Sequence, residues 1–187
     1  GRTTELLAAL HAARADRCLI GSFCDPELAL EAHRVGVGGR FRARFNRSRY
    51  ADASWARWDV PFEAEAEVVA LHDGTVIGES GMTAGRRLVL GPSAALRIGG
   101  ITVVVITDRT QTADPVFFHM FGLDIAGART VVVKSRGHFR AGFSDWFTPE
   151  QVYEVDTGGL TSPVHDRWPF TYLPRPNFPM DADTTWP

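Results

Sequence analysis

The side chains that could do chemistry are concentrated in three polar turns, each directly after an apolar run typical of a buried strand. If the three strands are parallel, the turns meet at one edge of the sheet, where open α/β sheets bind their ligands. The residues that would gather there are Ser22, Asp108, Arg109, Gln111, Lys134, Ser135 and His138. Such a mixture of cationic, imidazole, amide and hydroxyl groups is suited to binding a polar or anionic substrate.

The third turn, KSRGH at 134–138, lies between the run VVV and a candidate helix over 136–147. Ser135 can cap that helix, which would leave backbone N–H groups near Lys134 and Arg136 for a carboxylate or a phosphate. The alternative is ordinary capping beside solvated basic side chains. The sequence is compatible with both interpretations.

Common hydrolase and nucleotide motifs are absent from the sequence. It contains no HExxH, no His-x-His and no GxSxG, and its six histidines are scattered, so we expect no complete zinc site within this chain. The stretch GVGG at 36–39 follows a helical pattern and precedes a strand pattern, the reverse of the dinucleotide-binding order. It is therefore interpreted as a helix C-cap and turn.

The elements that must position the turns alternate between helix and strand. The opening residues predict a helix, a short strand over 18–23, and a second helix that begins at Asp25-Pro26-Glu27. Near the carboxyl end, strands at 101–106 and 130–135, helices and a strand over 151–155 form a βαβαβ series, which normally means a parallel sheet. The predicted fold is a single α/β domain: a mixed β-sheet with flanking helices, a parallel βαβ part near the C-terminus and antiparallel middle strands.

Two middle segments carry charges with period two. Arginines stand at 40, 42 and 44, and glutamates at 63, 65 and 67, which is typical of half-buried strands. The interleaved arginines and aromatics also resemble a surface for single-stranded nucleic acid. We expect instead that the two rows lie on neighbouring strands and form cross-strand ion pairs.

Composition restricts the partners and the compartment. The net charge of -2 arises from 20 basic and 22 acidic residues without blocks of one sign, so no nucleic-acid or membrane partner is expected. Cys18 and Cys24 would stand about 20 Å apart on an extended strand, too far to form a disulfide. Two unpaired thiols favour a reducing, cytoplasmic location.

The ends of the sequence suggest how the chain is organised. It starts at Gly1 without a methionine and enters a helical pattern at once, as expected of a domain from a longer protein. Six of the eleven prolines fall in the last 25 residues. We expect a domain over 1–162 and an extended, proline-rich segment over 163–187 that packs on the same domain through its aromatic residues.

Four segments together resemble the carboxyl-terminal domain of the MlrC-like proteins, zinc metallopeptidases named after microcystinase C, whose namesake activity is microcystin degradation. They are TDRTQ at 107–111, VVVKSRGHFRAGF at 131–143, EVDTGGLTSP at 154–163 and WPFTYLPRPNFPMD at 168–181. The similarity extends to DPELALEAHRVGVGG at 25–39 and the approach to the 101–106 run, so it covers nearly the whole chain. At Asp108 and Arg136 the sequence departs from the family pattern, and these two residues are not carried over.

The resemblance implies an auxiliary domain of a zinc hydrolase. In that family the metal-binding and hydrolytic residues belong mainly to a larger amino-terminal domain, so this fragment alone is expected to bind no zinc and to be inactive. The full-length protein would hydrolyse an amide bond in a peptide-like or small amide substrate. The matched residues Arg109, Gln111, Lys134, Ser135 and His138 would line the cleft between the domains and bind substrate.

A second hypothesis remains open from the residues themselves. The chain could be a non-catalytic binding or oligomerisation module that recognises a small anionic ligand through the strand-end turns. A homo-oligomer is compatible with either hypothesis.

Overall fold

A mixed β-sheet forms the centre of the molecule. The computed structural model describes residues 4–47, 61–135, 137–157, 164 and 169–185. Its strands are β1 (Cys18–Cys24), β2 (Arg40–Phe45), β3 (Phe62–His72), β4 (Thr75–Ile77), β5 (Arg87–Val89), β6 (Ser93–Ile98), β7 (Ile101–Ile106) and β8 (Thr130–Val133). Its helices are α1 (Glu5–Ala12), α2 (Pro26–Val35), α3 (Val116–His119) and α4 (Phe139–Gly142), with single 3-10 turns at Gly81–Thr83 and Pro149–Gln151.

The order of the main sheet is β2-β3-β6-β7-β1-β8, and β4 and β5 form a separate two-stranded sheet. The strands from β2 to β7 pair antiparallel, whereas β7, β1 and β8 pair parallel. The predicted mixed α/β sheet is confirmed. The parallel part differs from the expected series, because β1 from the amino-terminal region lies between β7 and β8.

Two apolar layers cover the sheet. One layer contains Leu7 of α1 and Leu28 of α2, and the other contains Phe117 and Phe118 of α3. Most residues of β1, β6 and β7 are therefore buried. Strands covered on both faces read as continuous apolar runs, which explains the run at 101–106. None of the helices in the described ranges is long and apolar enough to cross a membrane.

Helix α2 begins and ends as its sequence predicts. The Asp25 carboxylate accepts a hydrogen bond from the Leu28 N–H at 3.1 Å, and Pro26 occupies the first turn. At the other end the Gly36 N–H donates to the Ala32 carbonyl, and Gly36 and Gly38 both have φ of 82°. The left-handed conformation favours glycine, so GVGG is the expected helix cap and turn.

The arginine and glutamate rows face each other on β2 and β3, as expected. The register pairs Arg40 with Glu67, Arg42 with Glu65 and Arg44 with Glu63. The shortest ion pair is diagonal, from Arg42 Nε to Glu63 Oε2 at 2.9 Å, and Arg44 Nε lies 3.4 Å from Glu63 Oε1. Cross-strand pairs of opposite charge stabilise this register of the edge strand β2.

Two elements near the carboxyl end differ from the prediction: a strand is replaced by irregular chain, and a helix is shorter. The predicted strand over 151–155 is wrong: the Pro149–Gln151 turn is followed by irregular chain, and Tyr153 is 86% exposed. A strand needs a neighbour to satisfy its backbone groups, and β8 pairs within the main sheet with β1 alone. The helix predicted over 136–147 is reduced to α4, where Gly142 packs tightly against the backbone of Ala113.

The proline-rich segment is described over 169–185. Within it Arg175 forms an ion pair with Asp181 at 2.8 Å, and the Asp181 carboxylate accepts a hydrogen bond from the Asn177 N–H. Phe170, Tyr172 and Phe178 are exposed. The division into a domain over 1–162 and a packed segment over 163–187 stays a prediction, and residues 158–163 and 165–168 lie outside the described part.

Candidate functional site

The parallel strands bring the predicted turns to one edge of the sheet. In the register, Cys24 of β1 is opposite Ile106 of β7, and Gly21 of β1 is opposite Val133 of β8. All three strands therefore run toward the same edge and end within a few residues of each other. We call residues 21–22, 107–113, 134–135 and 137–138 the strand-end edge.

Ser22 lies within β1 and is buried, so the expected exposed turn at this position is wrong; a hydroxyl network instead joins Ser22 to the turn after β7. Ser22 Oγ donates to the Thr110 carbonyl at 3.3 Å, and Thr112 Oγ1 donates to Ser22 Oγ at 3.0 Å. Gly21 permits this close approach: a Cβ there would lie 2.7 Å from Phe118 Cζ and 3.1 Å from Thr112 Cγ2. The chain on both sides of Gln111 is thus attached to β1, and Ser22 serves this attachment.

Gln111 and His138 meet across the strand-end edge. His138 Nδ1 lies 2.9 Å from Gln111 Oε1, although the residues are 27 positions apart in the sequence. Both side chains are exposed, so a molecule approaching this edge can reach them. The structure therefore joins two of the five residues expected to bind substrate.

The residue that directly precedes α4 is His138, which forms no side-chain cap, and Ser135 contacts only the first residue of the helix. The Ser135 Oγ accepts a hydrogen bond from the Phe139 N–H at 3.3 Å. The helix that follows has only four residues, so its dipole is too small to attract an anion strongly. An ordinary turn into the helix, beside solvated basic side chains, is thus favoured over an anion site at the helix start. Arg136 lies outside the described residues.

The remaining predicted residues are charged and exposed. Arg109 and Lys134 stand on the turns after β7 and β8, respectively, and both belong to the strand-end edge. Asp108 is also exposed, and its backbone N–H donates to the Leu90 carbonyl at 2.8 Å. Each of the two turns that carry Gln111 and His138 thus also carries a cation.

Asp114 has a structural role that sequence reasoning missed. Its carboxylate is fully buried and accepts hydrogen bonds from the Glu79 and Ser80 N–H groups, the Thr83 hydroxyl and the Val116 N–H. The start of α3 directly after Asp114-Pro115 agrees with the local sequence, since proline is tolerated in the first turn of a helix. The partners at 79–83 had no sequence signal, because they reach Asp114 through the tertiary fold.

A second histidine pair lies outside the strand-end edge. His119 Nδ1 is 2.6 Å from Glu79 Oε2, and the His119 ring packs edge-on against Trp146 at 5.5 Å between centroids. These residues are separated by 40 and 27 positions, and no local pattern links them. Sequence reasoning counted His119 only among the scattered histidines.

The described residues do not fit a self-contained zinc site. No group of three or more His, Cys, Asp or Glu side chains in the described ranges is close enough to hold a metal ion. Two open pockets lie at the opposite end of the sheet, beside Cys18 and Gly100 at the amino ends of β1 and β7. Burial raises the pKa of the Cys18 thiol to about 11, which makes it unreactive.

Fold and site together define an α/β domain whose polar, exposed edge lies at the carboxyl ends of three parallel strands. The sequence model of the family described as MlrC C-terminus matches residues 1–172. The chain therefore belongs to this family. A search of curated proteins found no match.

A solved structure supports the same fold. The chain is similar to the crystal structure of a protein described as "Putative metallopeptidase" from Mesorhizobium sp. BNC1, with a TM-score of 0.78 and 24% identity. The match covers 100% of this chain and 36% of that chain. At this identity the likeness demonstrates the fold, and the present chain spans about a third of the length of the protein it resembles.

Proposed function

We propose that this chain is the carboxyl-terminal domain of an MlrC-like zinc-dependent metallopeptidase, and that it supplies one wall of the substrate cleft. The family match over residues 1–172 supports membership of such a protein. The related structure is much longer than the match, which supports the presence of further domains in the whole protein. The observation that carries the proposal is the contact between Gln111 and His138 at an exposed strand-end edge.

Five residues of the strand-end edge have distinct parts in the proposal. Arg109 and Lys134 attract and orient the anionic groups of a peptide-like or small amide substrate. Gln111 and His138 form hydrogen bonds with its polar atoms. Ser135 holds the turn in shape by accepting a hydrogen bond from the Phe139 N–H. These interactions position the substrate, which contributes to catalysis when the reacting atoms are held close to their final geometry.

Zinc is assigned to the whole protein and not to this domain. When bound, zinc would activate a water molecule and polarise the carbonyl of the scissile amide. We place the metal ligands in the amino-terminal domain, as the resemblance to the MlrC-like proteins implies. The exposed strand-end edge would pack beside that domain, and this chain alone would be inactive.

The proposal is tested by zinc content and amide hydrolysis, measured on this chain and on the full-length protein. We expect zinc and hydrolysis in the full-length protein only. Lys134→Ala and His138→Ala should lower full-length turnover without removing zinc. Arg34→Ala, on the exposed side of α2, is the control and should leave turnover unchanged. Stoichiometric zinc with activity in this chain alone, or unchanged turnover in both variants, would contradict the proposal.

A second candidate is a non-catalytic module that binds a small anionic ligand. The exposed cations Arg109 and Lys134 favour it, because they stand on two turns at the same edge of the sheet. Absence of both zinc and hydrolysis in the full-length protein would select this candidate. Titration of this chain with acetate and phosphate, compared with Lys134→Ala, would then measure the anion binding.

The thiols and the exposed aromatic side chains support proposals on the location and the assembly of the protein. Both Cys18 and Cys24 are free and buried, which supports a cytoplasmic location for the protein. Exposed aromatics at Phe170, Tyr172 and Phe178 support a contact with the amino-terminal domain or with a second copy of the chain. Sedimentation of this chain and of the full-length protein would distinguish a contact with the amino-terminal domain from a contact with a second copy.

A further inference from the structure

Gln111 and His138 allow a more specific assignment at the strand-end edge. We infer that Gln111 is a positioning residue that holds His138 in the tautomer protonated at Nδ1, so that His138 Nε2 accepts a hydrogen bond from the substrate. This inference rests on the proposed function, because it concerns the same substrate-binding wall. It adds the kind of group that the wall selects, namely an N–H donor.

The placement of the Gln111 amide favours one tautomer of His138. The atom of Gln111 that faces His138 is Oε1, at 2.9 Å from Nδ1. A carbonyl oxygen can only accept, so the hydrogen between them belongs to Nδ1. A neutral imidazole carries one N–H hydrogen, which leaves Nε2 as an acceptor.

Contacts of the neighbouring residues hold the backbone of both partners of this hydrogen bond in place. The residues on each side of Gln111 are attached to β1: Ser22 donates to the Thr110 carbonyl and accepts from Thr112. His138 directly precedes α4, whose Phe139 N–H donates to Ser135 Oγ and whose Gly142 lies against Ala113. The backbones of Gln111 and His138 are therefore placed by buried contacts, while their side chains remain exposed.

The neighbouring charges define the substrate class. Lys134 and Arg109 stand on the same two turns and suit an anionic group such as a carboxylate. An acceptor at His138 Nε2 suits an amide N–H. A ligand that carries both groups, such as an N-acylated amino acid or the end of a peptide, matches this edge better than a simple anion.

Nitrogen-15 NMR of the histidine side chains in the 187-residue chain tests the tautomer directly. We expect His138 to be protonated at Nδ1 in the unaltered protein. Gln111→Leu should shift it toward the Nε2-protonated form, while Gln111→Glu, which keeps an acceptor, should preserve Nδ1 protonation. The exposed His11 on α1 is the control and should be unchanged. An Nε2-protonated His138 at the start, or no response to Gln111→Leu, would overturn the inference.

Ligand selection is tested with N-acetylglycine and with N-acetylsarcosine, which lacks the amide N–H. We expect N-acetylglycine to bind more tightly and to shift the His138 signals, and Gln111→Leu to weaken it about fivefold, the effect of losing one hydrogen bond. Binding of N-acetylsarcosine should be unchanged in that variant. Equal binding of the two probes, or of neither, would overturn the assigned selectivity. Neither measurement depends on turnover. The zinc and hydrolysis assays therefore test the metallopeptidase proposal independently of this inference.

Discussion

The hydroxyl of Thr83 lies 2.6 Å from the buried carboxylate of Asp114, across 31 residues of chain. Together with the Glu79 and Ser80 N–H groups, this contact attaches the chain after β4 to the start of α3. Asp114 also accepts from the Val116 N–H at 2.8 Å. One carboxylate thus joins the small sheet to the segment that leads from the strand-end edge.

Replacing Asp114 should destabilise the domain strongly. Asp114→Ala would leave several donors without their acceptor, and we expect a loss of about 3 kcal/mol in the free energy of unfolding. Thr83→Val, which removes one donor, should cost about 1 kcal/mol. Urea unfolding measures both, with Asp145→Ala, an exposed aspartate, as the control. A loss below about 1 kcal/mol for Asp114→Ala would show that the network is not stabilising.

Gly142 and Gly137 offer a matched pair of substitutions around α4. A Cβ at Gly142 would lie 2.0 Å from the Ala113 carbonyl oxygen, whereas a Cβ at Gly137 would meet nothing within 4 Å. Gly142→Ala should therefore cost at least the roughly 1–3 kcal/mol typical of overpacking, and Gly137→Ala should be nearly neutral. Thermal unfolding by circular dichroism checks the contrast. Equal stability of the two variants would place α4 away from Ala113.

The β2–β3 ladder should make stability depend on pH at the acidic end. A hydrogen bond from Arg42, with the nearby positive charges of Arg44 and Arg47, lowers the pKa of Glu63 from its ordinary value of 4.5. A lowered folded-state pKa contributes stability above the unfolded-state pKa, and this contribution is lost as the pH falls through the folded value.

Glu63→Gln should consequently be less stable than the unaltered protein at pH 7, and the difference should disappear as the pH falls below 4.5 toward the lowered folded-state pKa. Chemical unfolding across this range gives the comparison. Glu65→Gln is the control, because Glu65 lies on the same strand face but 4.0 Å from Arg42. An effect of Glu65→Gln as large as that of Glu63→Gln would show that the Arg42–Glu63 hydrogen bond is not the source of the pH-dependent stability.

Cys18 should react only when the domain unfolds. Burial raises the pKa of its thiol from 9.0 to about 11, so little thiolate forms at neutral pH. We expect a maleimide to modify Cys18 slowly in the native protein and rapidly in denaturant, as followed by mass spectrometry of the peptides. The same raised pKa predicts that stability falls as the pH rises from about 9 toward 11. Rapid native labelling at Cys18 would contradict the buried placement.

Several parts of the fold could be read from local sequence. The period-two arginines at 40, 42 and 44 and the glutamates at 63, 65 and 67 predicted two neighbouring strands, because charge and spacing act between residues close along each strand. The Asp25 cap and the Gly36 turn were predicted for the same local reason. The predictions of a helix over 136–147 and a strand over 151–155 were wrong. A sequence pattern does not reveal whether the fold supplies the packing and pairing partners that such elements need.

The candidate site divides in the same way. Parallel strands ending in polar turns predicted that Gln111 and His138 would share an edge, since the ends of parallel strands meet. Their hydrogen bond, and the attachment of Thr110 and Thr112 to Ser22, depend on β1 entering between β7 and β8. That insertion joins elements far apart in the chain, so no local pattern indicates it.

By itself the sequence determined the residue types at the strand ends, the caps of α2, the charged ladder and the resemblance to the MlrC carboxyl-terminal domain. Only the tertiary structure decided that Gln111 contacts His138, that Asp114 holds the chain at 79–83 and that Glu79 pairs with His119. The physical reason is the range of the forces. Caps, turns and strand faces are set by residues a few positions apart, whereas a side-chain hydrogen bond across 27 to 40 residues requires the whole sheet to bring its partners together.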